Sequence, residues 1–198
     1  MSSIESKEAI NILVMVCGSV AAIKLPTLLG QLRQLSGTRE VSIKVVTTEN
    51  AIHFYDLKQT MAEFEVLRDR DEWSEWRQMG DEILHIELRK WATIGVVAPM
   101  DAHTMAKCAT GMCDNLLTCV LRAWDADKPL LYCPAMNVNM WSHPITQTHL
   151  DALQSFGYKQ VGPIVKRLAC GDTGMGAMAE VSAIVHEVKQ VLQLLALI

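Results

Sequence analysis

Ile10-Asn11-Ile12-Leu13-Val14-Met15-Val16-Cys17 is a nearly unbroken apolar run, and Gly18-Ser19-Val20-Ala21-Ala22 follows it directly. A run of this length without period-two alternation suits a strand covered on both faces, as in a parallel sheet. The turn at Gly18 feeds a helix expected to reach about Leu35, with Ser36-Gly37-Thr38 as its stop. Strand, tight turn and helix make the first half of a βαβ unit. The pattern then repeats. Residues 41–47, 94–99 and 130–133 read as further buried strands, and 105–109, 115–124, 145–156 and 181–195 carry helical patterns. Residues 55–84 are more polar and less periodic, and they predict no defined element.

Strands separated by helix-length patterns predict an α/β fold: a doubly wound, Rossmann- or flavodoxin-like parallel sheet with helices on both faces. The chain of 198 residues is expected to be one domain, with residues 1–9 as a disordered amino terminus. In such folds ligands bind outside the carboxyl ends of the strands. The exits here are suggestive. The first carries Gly18, which permits a tight turn, and Ser19, ahead of a helix start with free N–H groups. Only one glycine is present, so this is not the dinucleotide fingerprint. The turn suits either a phosphate or an ordinary N-cap at Ser19. The second exit is Thr47-Thr48-Glu49-Asn50, and the third is Ala98-Pro99-Met100-Asp101-Ala102-His103-Thr104. The fourth is Pro134-Ala135-Met136-Asn137-Val138-Asn139-Met140-Trp141, followed by a helix start at Ser142-His143-Pro144. Adjacent exits bearing small polar residues predict one mononucleotide-sized crevice.

Composition excludes other classes. Net charge is -4 with no basic block, which argues against nucleic acid, because phosphate binding needs clustered Lys and Arg. No apolar stretch is long enough to span a bilayer. The polar start at Met1-Ser2-Ser3 lacks a signal-peptide core, so a cytoplasmic location is expected. The six cysteines include no Cys-x-x-Cys pair. The spacing of Cys108, Cys113 and Cys119 matches no common zinc or iron–sulfur pattern, so no metal site is expected. Most of them read as small buried thiols, Cys170 excepted.

The Pro-x-Met-Asn-x-x-Met-Trp run at 134–141 resembles the hallmark of the homo-oligomeric flavin-containing cysteine decarboxylases. Other segments are similar to that family in the same order, from about Ile12 to Val185. They are Gly-Ser-Val-Ala-Ala at 18–22, Thr-Glu-x-Ala-x-His-Phe at 48–54, Asp-Ala-x-Thr at 101–104 and Cys-Asp-Asn-Leu-Leu-Thr-Cys at 113–119. Two more are His-Ile-Glu-Leu-Arg-Lys-Trp at 85–91 and Lys-Arg-Leu-Ala-Cys-Gly-Asp-x-Gly-x-Gly-Ala-Met at 166–178. The glycines of the last stretch would let it close as a lid. The resemblance implies FMN as cofactor, held by Gly18, Ser19, Val20, Thr48, Asn50, Phe54, Asp101, Ala102, His103, Thr104 and Ala135. Histidine at 103 and lysine at 90 depart from the family's asparagine and arginine. Lys90 keeps the charge but loses the bidentate fork.

The same resemblance implies the reaction. The family decarboxylates a cysteine conjugate, and this sequence is most similar to the branch acting on 4'-phosphopantothenoylcysteine in coenzyme A biosynthesis. Flavin oxidises CH2–SH to a thioaldehyde, CO2 leaves to give an enethiol, and the enethiol is reduced again. His85, Asn137 and Cys170 are the implied catalytic residues, with Cys170 as the proton donor. Asn137, Met140, Lys90, Arg167 and Ala169 are the implied substrate contacts. The implied assembly is a homotrimer with active sites at subunit interfaces. Alternatives are a peptidyl-cysteine decarboxylase or a catalytically inactive phosphatase-regulating relative.

Overall fold

A computed structural model describes residues 9–35 and 39–198. Most of the expected disordered amino terminus and the helix stop at 36–38 lie outside the described residues. In chain order the elements are β1 (Ile10–Val16), α1 (Leu25–Arg33), β2 (Val41–Thr47), α2 (Leu57–Glu63), β3 (Glu65–Leu67), α3 (Asp69–Glu75) and α4 (Leu84–Trp91). They continue as β4 (Ile94–Met100), α5 (Ala102–Thr110), α6 (Leu116–Arg122), β5 (Leu130–Pro134), α7 (Val138–Ser142) and α8 (Pro144–Ser155). The last are β6 (Lys159–Gln160), β7 (Ile164–Arg167), β8 (Thr173–Ala177) and α9 (Val181–Leu194). No helix of the described residues is long and apolar enough to cross a membrane.

Among the described residues, β1 to β6 form one parallel sheet in the order β3-β2-β1-β4-β5-β6. The chain winds outward from β1 to β3, then returns to the centre and winds the other way from β4. The switch point therefore lies between β1 and β4, and every carboxyl end opens on the same edge. One face is covered by α1 and α9. Leu25, Leu28, Leu29 and Leu32 repeat at helical spacing and pack with Ile184, Val188 and Leu192 over Ile12, Val14 and Val16. The other face is covered by α4, α5, α6 and α8, through Leu88, Met105, Leu117 and Leu153 over Leu13, Met15 and Val97. Burial of each leucine stabilises by roughly 1.5–3 kcal/mol, so both layers are firmly held.

Several expectations are corrected. The helix after Gly18 opens as a 3-10 turn over Val20–Lys24, and α1 follows with a proline in its first turn. Residues 55–84 are not featureless: they hold α2, β3 and α3. Asp56 starts α2 by accepting from the Gln59 N–H at 2.9 Å. The helix start expected at 142–144 is met, with His143 capping α8 and Pro144 opening it, and a short helix, α7, precedes it and ends at Ser142. Only Cys17 and Cys133 are fully buried; Cys108 and Cys119 are half-buried, and Cys113 and Cys170 are exposed.

Candidate active site

The exits of β1 and β4 are tied together at the switch point. The Cys17 thiol donates to the Pro99 carbonyl at 3.0 Å and accepts the Asp101 N–H at 3.0 Å. Burial, with the Asp101 charge adding, pushes this thiol far up, so Cys17 is a neutral strut. Asp101 caps α5 by accepting the Thr104 N–H at 2.7 Å. Thr104 is buried, Ala102 is half-buried, and His103 faces solvent on the first turn of α5.

The β1 and β2 exits approach closely because residue 18 has no side chain. A Cβ on Gly18 would stand 2.6 Å from the Asn50 Cβ. Ser19 does cap the 3-10 turn: its Oγ accepts the Ala21 N–H at 3.3 Å. That contact leaves the hydroxyl hydrogen free. Thr48 gives a sharper sign of a ligand. Its Oγ1 is buried with no partner, a state that costs roughly 1–3 kcal/mol unless something polar meets it. Beside it, the Arg68 guanidinium hydrogen-bonds Glu49 and holds that carboxyl below its ordinary range. Phe54 is half-buried against the first core face, while Asn50 and Val20 are exposed at the rim. An orphaned hydroxyl, a glycine with no room for a Cβ and a tight turn capped by Ser19 fit the expected FMN.

Next to this crevice, β7 and β8 pair as an antiparallel hairpin, and Cys170 lies in the turn between them. Gly176 makes the docking possible. Its φ is +143°, and a Cβ there would stand 2.3 Å from the Met136 carbonyl oxygen. The Met136 N–H donates to the Gly176 carbonyl at 2.9 Å. The hairpin therefore lies on the loop that leaves β5, and it brings Cys170 to Asn137. The Asn137 amide donates to the Cys170 Sγ at 3.3 Å and to the Asp172 Oδ2 at 2.7 Å. The Cys170 thiol in turn donates to Asp172 at 3.4 Å. A cavity of about 390 Å³ opens between the β1 exit, the β5 exit and the hairpin. Ser19, Val20, Ala135, Asn137, Arg167, Ala169 and Cys170 line it.

His85 lies elsewhere. It stands in the first turn of α4, over the second core face, and its Nδ1 is hydrogen-bonded with the Glu72 Oε1 at 2.6 Å. His85 and Met140 are outside the lining of the cavity. Lys90 is placed against expectation. Helix α4 runs from the carboxyl edge of the sheet toward its amino edge, so five residues beyond His85 the lysine is ~7.5 Å further along. It sits beside Thr93, Asp127 and Pro129 and pairs with Glu87 at 2.6 Å. The structure does not bring Lys90 to the crevice of its own chain. Sequence reasoning missed Glu72, which falls in the segment with no periodicity. It also gave no role to Asp172, although that residue stands in the motif at 166–178.

A doubly wound sheet with a polar crevice at its switch point, flanked by a hairpin bearing a thiol, defines a mononucleotide-binding α/β protein equipped for proton transfer. The chain belongs to the Flavoprotein family, whose model matches residues 1–193. It is 50% identical over 182 residues to phosphopantothenoylcysteine decarboxylase of Mus musculus, covering 92% of this chain and 87% of that protein. Its structure is similar to a PPC decarboxylase cysteine-to-serine mutant complexed with pantothenoylaminoethenethiol. The TM-score is 0.88 and the identity 44%, over 94% of this chain and 100% of that one. It is also similar to the FMN binding protein AtHal3, with a TM-score of 0.85 and 45% identity, over 94% and 98% of the two chains.

Proposed function

We propose that this chain is an FMN-dependent carboxy-lyase that converts 4'-phosphopantothenoylcysteine to 4'-phosphopantetheine in coenzyme A biosynthesis. The observation that carries this reading is the meeting of the Asn137 amide, the Cys170 thiol and the Asp172 carboxylate at the cavity beside the switch crevice. Bound FMN supplies the electron sink that a saturated cysteine carboxylate lacks, and later the hydride that restores the saturated product. The residues of the chain do the rest.

Gly18, Ser19, Val20 and Thr48 would hold the cofactor at the β1 and β2 exits, with Asn50 and Phe54 beside them. Asp101, Ala102, Thr104 and Ala135 would close the other side, with His103 at the rim. The Asn137 amide would donate to the substrate carboxylate, and Arg167 would meet a carboxylate or phosphate from the hairpin beside Ala169. Met140, on the short helix that Asn137 caps, would pack against the substrate. Cys170 would give its proton to the enethiol carbon as hydride arrives at the neighbouring carbon.

His85 would act at a site shared between subunits of a homotrimer. Its place over one sheet face, with the Cys170 hairpin on the other side of the crevice, supports that division. All six thiols are free, which supports a reducing, cytoplasmic compartment. The chain would work as one flavin-binding domain. The test is direct. Purified protein should be yellow, with FMN released on denaturation, and should liberate CO2 from 4'-phosphopantothenoylcysteine. A yellow protein inert to that compound but active on a peptide ending in cysteine would overturn the substrate.

A further inference from the structure

The Glu72 side chain is 9% exposed, within α3. Its Oε1 lies 2.6 Å from the His85 Nδ1, within hydrogen-bond distance, and its Oε2 is buried with no partner. Burying a carboxylate is costly, and an unbonded oxygen leaves part of that cost unreturned. Packing alone would be served better by an apolar residue. We propose that Glu72 is the positioning residue for His85: it fixes the imidazole with Nδ1 protonated, presents Nε2 as the working atom, and stabilises the positive charge when Nε2 takes up a proton. In that step a substrate hydrogen becomes Nε2–H, and its bonding pair stays on the substrate. The inference rests on His85 being the histidine of the proposed reaction.

The surroundings support the assignment. The helix that carries Glu72 is held independently of the histidine. Asp69, one turn earlier, accepts the Leu116 N–H of α6 at 2.8 Å, and Asp71 accepts the Arg68 N–H at 2.8 Å. Helix α3 is thus fastened at its start, which fixes the backbone that presents Glu72. An imidazole by contrast can flip about its ring torsion, and its two nitrogens are not equivalent until one is engaged. The His85 side chain remains 25% exposed, so the ring is reachable. The nearby Cys119 thiol is pushed up to about 11, first by burial and also by the charges of Cys113 and Glu72. It stays neutral and does not compete as an anion for the imidazolium.

The experiment uses the FMN-loaded protein. Nitrogen-15 NMR of histidine-labelled protein, assigned by the signal lost in His85→Asn, should show Nδ1 protonated. Glu72→Gln keeps the shape and removes the charge. It should lower kcat roughly 10–10²-fold, the usual value of a carboxylate that orients a functional histidine, with KM and flavin content unchanged. Glu72→Asp should recover part of that loss. In a His85→Asn background, Glu72→Gln should cost nothing further, because the two act as one unit. Equal losses in both backgrounds, or normal kcat in Glu72→Gln while His85→Asn is inactive, would overturn the positioning role and leave the His85 reading standing. Normal turnover by His85→Asn would remove that reading itself. Should Glu72→Gln not fold, the wild-type spectrum still decides, since an unprotonated Nδ1 overturns the proposal.

Discussion

The residues of the proposed reaction sit in two places of opposite character. Asn137, on the loop leaving β5, meets Cys170 and Asp172 of a hairpin with little core beneath it; Cys170 and Asp172 are exposed, and the hairpin is fastened to that loop by backbone contacts at Gly176. His85 and Glu72 sit on packed helices, with the glutamate nearly enclosed. A hairpin can lift to admit a substrate without disturbing the sheet, as binding segments drawn from the low-stability end of a fold do. A histidine that must keep one tautomer gains from the opposite treatment, a rigid seat and a fixed partner. Under the proposed reaction, late proton delivery would fall to the exposed hairpin and acid–base work to the packed helices.

The largest effect is expected at the rigid half. His85→Asn should retain FMN, because the flavin-facing loops are elsewhere, yet lose roughly 10²–10⁴-fold in CO2 release. Near-normal turnover would place the chemistry on the hairpin alone. Cys170→Ser should break the sequence at its other end. A serine hydroxyl is a far weaker acid than a thiol, so about one CO2 per site should leave before enethiol product accumulates. Anaerobic absorbance with mass analysis reads this, and saturated product at the wild-type rate would remove Cys170 as donor.

The two lesions can then be combined in trans. If the histidine and the thiol of one site come from neighbouring subunits of a ring, either mixed trimer of the two variants contains one interface with both groups intact. Co-expressed, doubly tagged trimers should recover about a third of wild-type turnover. Absence of recovery in a verified mixed trimer would place both groups within one chain.

A smaller effect is expected from the hairpin's attachment. Gly176→Val puts a side chain against the Met136 carbonyl at a φ that disfavours it, at a cost of roughly 1–3 kcal/mol. Hydrogen exchange at the Met136 amide should rise and KM should increase, while His85 is untouched. The smallest effect concerns Glu180, which pairs with Lys24 at 2.9 Å and with Lys166 of β7 at 3.1 Å. Lys24 first, and Lys166 with it, hold this carboxyl below its ordinary 4.5. A depressed carboxyl stabilises the fold above its unfolded value, and the contribution is lost as pH falls through the folded value. Exchange in β7 should therefore quicken below pH 4.5, and Glu180→Gln should erase that pH dependence.

Much of the architecture is legible in local pattern. Strand β2 spans the same seven residues in both readings, and β1, β4 and β5 differ by no more than two residues. Buried parallel strands declare themselves as unbroken apolar runs, and helix faces repeat at fixed spacing, so a window of ten residues carries the signal. The hairpin was visible as a motif but not as strands, because Thr173-Gly174-Met175-Gly176-Ala177 has neither alternation nor β-branched bulk beyond Thr173. Helix α3 was missed because charged residues dominate its surface, and its anchoring comes from Leu116, 47 positions away from Asp69. Lys90 is the converse case. Its charge and motif position pointed toward the ligand, but the direction of α4 carries it to the far edge of the sheet. Cys170 and Asp172 are two residues apart, and their contact is local to that turn. The contacts of Asn137 with Cys170 and of Glu72 with His85 exist because two sheet faces, one switch point and a close glycine contact had to be satisfied at once, and no local stretch of chain contains that requirement.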